Sequence, residues 1–278
     1  MPLPRRSGSA ALVLAWGALS ACAALRTAPP PVTSPAPAPA PAPALRYAPA
    51  GAPVELASGV RVWVAPDRDA ALVHLALRLE VGSRHETAAR AGLAHLTGHA
   101  LLELRPGGGA SLAQRLSAAA LAHAFTITPD ATIVQVTSLP DGLPAVLAVF
   151  ADLLSGECSG LSTASFAAAQ RGALAEARDP TASGLLAGLY GPEHPYGHAP
   201  DGTGKTLAAL TRNDLCAFYL GQYTPSRASL AVTGAVSPAA FTGAVAPLAA
   251  LPRRELGGPP VEAPRWTGAG AQDRKSVV

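Results

Sequence analysis

His95 and His99 are the residues of this chain whose type and spacing most clearly suggest chemistry. They lie in a segment, residues 88–104, whose apolar pattern predicts a helix. On a helix, residues four apart lie within about 40° of each other, so both imidazoles can reach one metal ion. The apolar residues of the segment fall on roughly the opposite side, whereas core histidines would lie among them. These apolar positions are Leu93, Leu96, Thr97, Ala100, Leu101 and Leu104.

The segment at residues 92–103, GLAHLTGHALLE, resembles the inverted zinc motif H-x-x-E-H of the insulinase/pitrilysin metallopeptidases. Gly98 stands where that motif has its catalytic glutamate. Bound zinc lowers the pKa of a water molecule, but a carboxylate must still accept the proton. The resemblance therefore implies a metal site without its general base. Glu103, one turn after His99, is a weak substitute, because its side chain is expected to project away from that water.

Later motifs follow the order of the same family and extend the resemblance over about residues 53–250. They are VGSRHE at 81–86, HPYG at 194–197, YTP at 223–225 and VTG at 232–234. The resemblance implies a third zinc ligand, a glutamate on a later helix, and Glu176 follows His99 by 77 residues (176 − 99). Two imidazoles and one carboxylate form the open ligand set of catalytic zinc. Ala169 stands where a second acidic residue is common in the family.

The elements that must position these residues mix strands and helices without strict alternation. Alternating apolar residues predict strands at residues 60–64, 73–81, 124–128, 132–137 and 228–233. Helices are predicted at residues 88–104, 111–122, 144–154, 162–178, 212–219 and 238–249. This arrangement favours an α+β fold. We expect one metallopeptidase-like domain over residues 53–251, with helices packed on a mixed, mainly antiparallel sheet.

The N-terminus has the features of an export signal. Two arginines precede an apolar run at residues 10–19, which ends in Leu-Ser-Ala-Cys. This ending resembles a bacterial lipobox and predicts lipidation of Cys22, although an ordinary signal peptide with a chance cysteine is the alternative. Residues 23–52, rich in Pro and Ala, predict an extended linker. We therefore expect a lipid anchor in the bacterial envelope, facing the periplasm, and Ala23 after the cysteine favours the outer membrane.

Composition argues against nucleic-acid binding and does not decide whether the cysteines form a disulfide. The net charge of +3 rests on arginines that are not interleaved with aromatic residues, so nucleic-acid binding is not expected. Cys158 and Cys216 are the only cysteines after Cys22 and could pair in an oxidising periplasm. Members of the family usually have two related halves, and residues 252–278 are interpreted as a linker or the start of a second half.

Three hypotheses about function follow. The first is a non-catalytic, zinc-binding envelope lipoprotein that handles peptides or unfolded proteins, as the partner of an active paralogue. The second is an active zinc metalloendopeptidase with a displaced base, either Glu103 or a residue of a second half. The third is a structural envelope lipoprotein with a vestigial site and no bound metal.

Overall fold

The computed structural model describes residues 52–177 and 180–254. The predicted signal peptide, Cys22, nearly all of the predicted linker and the segment from residue 255 onward lie outside the described residues. Within the described part, no helix combines the length and the apolar character that crossing a bilayer requires.

A six-stranded sheet forms the centre of the domain. Its strands are β1 (Val54–Glu55), β2 (Arg61–Pro66), β3 (Val73–Leu79), β4 (Ala122–Ile127), β5 (Thr132–Ser138) and β6 (Ala228–Gly234). Their order is β1-β2-β6-β3-β5-β4, and β2 with β6 is the parallel pair. The remaining pairs are antiparallel, with Leu75 of β3 opposite Val136 on β5 and Val232 on β6. The sheet is thus mixed and mainly antiparallel, which confirms the predicted α+β class.

Nine helices are present in the described part of the chain. They are α1 (Leu93–Glu103), α2 (Leu112–Ala119), α3 (Leu143–Leu154), α4 (Thr163–Glu176), α5 (Pro180–Tyr190), α6 (Gly204–Ala209), α7 (Arg212–Gln222), α8 (Pro238–Ala244) and α9 (Ala246–Ala249). Several begin at a hydroxyl side chain that accepts a backbone N–H from the first turn, as Ser111, Ser162 and Thr211 do. Such caps satisfy N–H groups that have no partner within the helix.

The core lies on one face of the sheet. On β3, every second residue is buried, and the residues between them are exposed or half-buried. The buried residues are Val73, Leu75, Leu77 and Leu79. This is the pattern of a strand with one face covered. The predicted apolar face of this strand is therefore confirmed, although the strand ends at Leu79.

The structure differs from the sequence expectations at several helix ends. Helix α1 begins at Leu93 because Gly92 adopts a left-handed conformation (φ 92°), and a 3₁₀ turn precedes it at Ala88–Arg90. Helix α5 was not expected, since the pattern stops before Pro180. Proline is tolerated in the first turn of a helix, where no N–H partner is needed, so it can begin α5. The short α6 was also missed. The single helix expected at 238–249 is divided into α8 and α9.

A disulfide joins Cys158, in the loop after α3, to Cys216 on α7, with the two Cα atoms 5.7 Å apart. The pairing that the sequence left open is therefore present. It links two segments separated by 58 residues in sequence.

Candidate metal centre

The side chains of His95, His99 and Glu176 converge at the contact between α1 and α4. Their donor atoms all lie within 4.8 Å of one another. The Nε2 atoms of the two histidines are 2.9 Å apart. One oxygen of Glu176, Oε2, lies 3.3 Å from Nε2 of His95 and 3.5 Å from Nε2 of His99. These residues, called the three-donor group below, are the ones that the family resemblance implied as ligands.

The spacing of these atoms fits a tetrahedral divalent ion. Ligand atoms about 2.1 Å from a tetrahedral zinc ion lie roughly 3.4 Å from each other. The two distances to the carboxylate oxygen match this value closely, and the distance between the two nitrogens is shorter. Glu176 also ends α4, where a carboxylate is unfavourable to the helix dipole and a bound cation would offset that cost. The donor set and its geometry can hold zinc with one open position.

Small residues allow α4 to approach α1 closely. On α4, Ala169 and Ala173 are buried, and Gly172 faces the ring of His99 on α1. A Cβ atom at position 172 would lie 3.1 Å from Nδ1 of His99. The place of the second acidic residue, Ala169, is therefore part of the apolar core.

The packing of α4 also corrects one expectation about α1. The sequence pattern placed both histidines on a face away from the apolar stripe, but His95 is buried and His99 is half-buried. Helix α1 contacts α4, α7 and α2, so apolar and histidine faces are both covered by protein.

Electrostatics near the group keep one imidazole neutral. Burial, and then the neighbouring His95, lowers the pKa of His99 below its usual value. Only the neutral imidazole ligates a metal, so this direction favours metal binding.

The start of α1 is fixed by a buried acidic side chain. Glu86 accepts the backbone N–H of Gly92 at 2.7 Å and that of Ala94 at 2.6 Å. Nε2 of His198 lies 3.2 Å from the same carboxylate. Burial raises the pKa of Glu86, while His198 and the two N–H groups act in the opposite direction. The carboxylate thus satisfies two N–H groups that the helix leaves unpaired.

Gly98 lies in close packing against the edge strand β4. A Cβ atom at this position would lie 3.0 Å from Cδ1 and 3.2 Å from Cγ1 of Ile127. The sequence alone suggested that glycine brings no local gain here. The structure provides a reason for it, since the absent side chain lets α1 and Ile127 approach each other.

An open groove with a volume of ≈ 460 Å³ lies over the three-donor group. It is lined by that group together with Gly98, Leu102, His123, Ala124, Phe125, Thr126, Ile127 and Asp201. Glu103 does not line this groove, so the geometry gives no support to it as a substitute base. Sequence reasoning missed His123 and Asp201, because neither stands at a spacing that relates it to the two histidines.

This fold and this site define a metallopeptidase-like domain with an open metal-ligand group and glycine at the position of the base. Comparison with known proteins agrees. Residues 61–174 match the family described as Insulinase (Peptidase family M16). The similarity to an M16 family domain thus covers residues 61–174 of the chain and ends two residues before Glu176.

Individual relatives support the same assignment. An uncharacterized zinc protease of Mycobacterium tuberculosis is 32% identical over 167 residues, which cover 56% of this chain and 37% of that protein. A peptidase M16 inactive domain from Pseudomonas fluorescens has a TM-score of 0.65 at 25% identity, covering 77% of this chain and 53% of that one. The periplasmic protease PqqL from Escherichia coli has a TM-score of 0.64 at 18% identity, covering 78% and 26% respectively, and is similar in fold.

Proposed function

We propose that this chain is a zinc-binding, non-catalytic M16-type lipoprotein of the bacterial envelope that binds peptides beside an active partner. The observation that carries the proposal is the three-donor group next to Gly98. Bound zinc would supply a polarising charge and an acidic water, but the residue beside it has no carboxylate to accept a proton. The neighbouring space is occupied by the apolar side chain of Ile127.

Peptide binding is supported by the position of β4. This strand is at one end of the sheet order, so one side of its backbone has no neighbouring strand in the described part of the chain. Residues 123–127 of the same strand line the groove over the three-donor group. An extended peptide can add to such an edge through main-chain hydrogen bonds. A peptide bound there would lie along the metal centre, where a domain without a base would hold it uncleaved.

An active M16 paralogue is the partner we propose. A groove that is open over the metal centre leaves a face that a second domain can cover.

Location in the periplasm, anchored at Cys22 to the outer membrane, is supported by three observations. The N-terminal sequence resembles a lipoprotein signal. The disulfide between Cys158 and Cys216 suits an oxidising compartment. One neighbour in fold is described as a periplasmic protease. Growth with a palmitate analogue tests the anchor, since Cys22→Ala should lose the label and a wild-type chain without label would refute it.

The metal and the missing activity are tested together on the purified full chain. We expect about one zinc ion per chain by elemental analysis, lost in His95→Ala and retained in the matched variant Glu103→Gln, whose residue does not line the groove. We also expect no cleavage of unstructured fluorogenic peptides, with a known zinc endopeptidase as positive control. Cleavage by the wild-type chain that a chelator abolishes would refute the non-catalytic assignment. Absence of zinc would favour the vestigial, structural hypothesis.

A further inference from the structure

A carboxylate outside the three-donor group lies beside one of its histidines. Oδ1 of Asp201 is 3.3 Å from Nδ1 of His95, whereas Nε2 of the same ring faces His99 and Glu176. The carboxylate is largely shielded from solvent, with 29% of its side chain exposed. A carboxylate in this position favours the tautomer with its proton on Nδ1 and leaves a lone pair on Nε2.

The loop that carries Asp201 is held against the start of α1 by backbone contact. A Cβ atom at Gly202 would lie 2.5 Å from the carbonyl oxygen of Ala91 and 2.7 Å from Cα of Gly92. A Cβ atom at Gly92 would in turn lie 2.9 Å from Cα of Gly202. Both glycines have a positive φ, 92° at Gly92 and 71° at Gly202, a conformation that glycine adopts without strain. The two backbones therefore meet at a distance that no side chain allows.

A second contact ties the same loop to the same helix. His198 lies three residues before Asp201, and its ring is buried against Glu86, which caps α1. The loop is thus attached on both sides of Asp201, once through His198 and once through Gly202. Neither of these attachments involves the Asp201 side chain, and together they place its loop beside the start of α1.

We propose that Asp201 is a positioning residue for the metal ligand His95. Its carboxylate fixes the ring orientation and the Nδ1–H tautomer, so that the lone pair of Nε2 would be available to a metal held also by His99 and Glu176. Outer carboxylates of this kind affect metal affinity by roughly 10- to 100-fold. His99 differs from His95 in this respect, since its Nδ1 faces the backbone of Gly172.

Two variants of Asp201 separate charge from hydrogen-bond acceptance. Asp201→Asn keeps an acceptor oxygen and the shape of the side chain but removes the charge, and Asp201→Ala removes both. In zinc competition titrations of the full chain, we expect a Kd about 10-fold weaker for Asn and up to about 100-fold weaker for Ala. Asp152→Asn is the matched control, because it breaks an ion pair with Arg115 outside the groove. It should keep the wild-type zinc Kd.

Because this role presupposes the zinc site proposed above, a zinc-free measurement accompanies the titration. In ¹⁵N-histidine-labelled, zinc-free protein at neutral pH, we expect the ring proton of His95 on Nδ1, and its transfer to Nε2 in Asp201→Ala. A wild-type zinc Kd in Asp201→Ala would overturn the assignment. The assignment would also be overturned if Asp201→Ala lost zinc affinity and its zinc-free melting temperature fell further than that of Asp152→Asn. If the wild-type chain binds no zinc, the proposed metal function fails, while the tautomer still decides the role of Asp201.

Discussion

The close packing of Gly98 against Ile127 predicts an energetic coupling between the two positions. Alanine at position 98 should gain about 1 kcal/mol from helix propensity. Its Cβ, however, would lie 3.0 Å from Cδ1 of Ile127, whereas carbon atoms pack best at about 3.5–4.0 Å. The tip of Ile127 must therefore move by several tenths of an ångström, which offsets most of the gain. We expect Gly98→Ala alone to change the free energy of unfolding by less than about 0.5 kcal/mol.

Shortening Ile127 should release that gain. Ile127→Ala removes both Cδ1 and Cγ1, the two atoms closest to position 98, at a cost of about 2 kcal/mol or more. In this background Gly98→Ala should stabilise the chain by about 1 kcal/mol, which gives a coupling energy of about 0.5–1 kcal/mol. Urea unfolding of the four variants, with a chelator present to exclude metal, measures this energy.

The control and the refuting result are both defined by the structure. Gly184, on α5, has open space around its Cβ position. Gly184→Ala should therefore gain the same amount with either residue at position 127. If Gly98→Ala stabilises equally in both backgrounds, within about 0.3 kcal/mol, Ile127 does not restrict position 98. The packing explanation for glycine would then be wrong.

Three further predictions concern metal, pH and the disulfide. Free zinc at 100 times its Kd should stabilise the chain by about 2.7 kcal/mol, which corresponds to a rise of roughly 5–10 °C in melting temperature. Glu176→Gln should reduce this rise and Glu103→Gln should keep it. No rise in the wild-type chain would contradict the metal site. Burial, and then the neighbouring arginines, lowers the pKa of His85 to about 4. The unfolded state therefore binds more protons than the folded state between pH 6.5 and 4, and stability is lost as the pH falls through that window. Because the ring is half-buried, we expect a contribution of about 1 kcal/mol to the loss between pH 7 and pH 4.5, measured by urea unfolding. The loss should be smaller by this amount in His85→Gln, and an equal pH dependence in that variant would refute the assignment. Replacing Cys158 and Cys216 together by alanine should lower the free energy of unfolding by up to about 4 kcal/mol, since their bond closes a loop of 58 residues. A loss below about 1 kcal/mol in the same assay would show that the bond constrains the unfolded chain little.

Much of the fold could be predicted because its signals are local. The alternation along β3 and the helical spacing of His95 and His99 depend on residues close together in sequence, and backbone geometry converts each spacing directly into a face. The type of most elements followed in the same way. Helix α5 was missed because Pro180 stops a helix as readily as it starts one, and local sequence does not distinguish the two.

The sequence by itself determined which residues could bind a metal and which base was absent. Its periodicity related His95 to His99, and the order of motifs added Glu176 and marked Gly98. Tertiary structure decided what surrounds them: Ile127 against Gly98, and Asp201 beside His95. Asp201 follows His95 by 106 residues (201 − 95), and the contacts of its loop with the start of α1, through His198 and Gly202, bring the two together. Such contacts depend on how elements far apart in sequence pack against each other, and the spacing of residues within one element does not predict that packing.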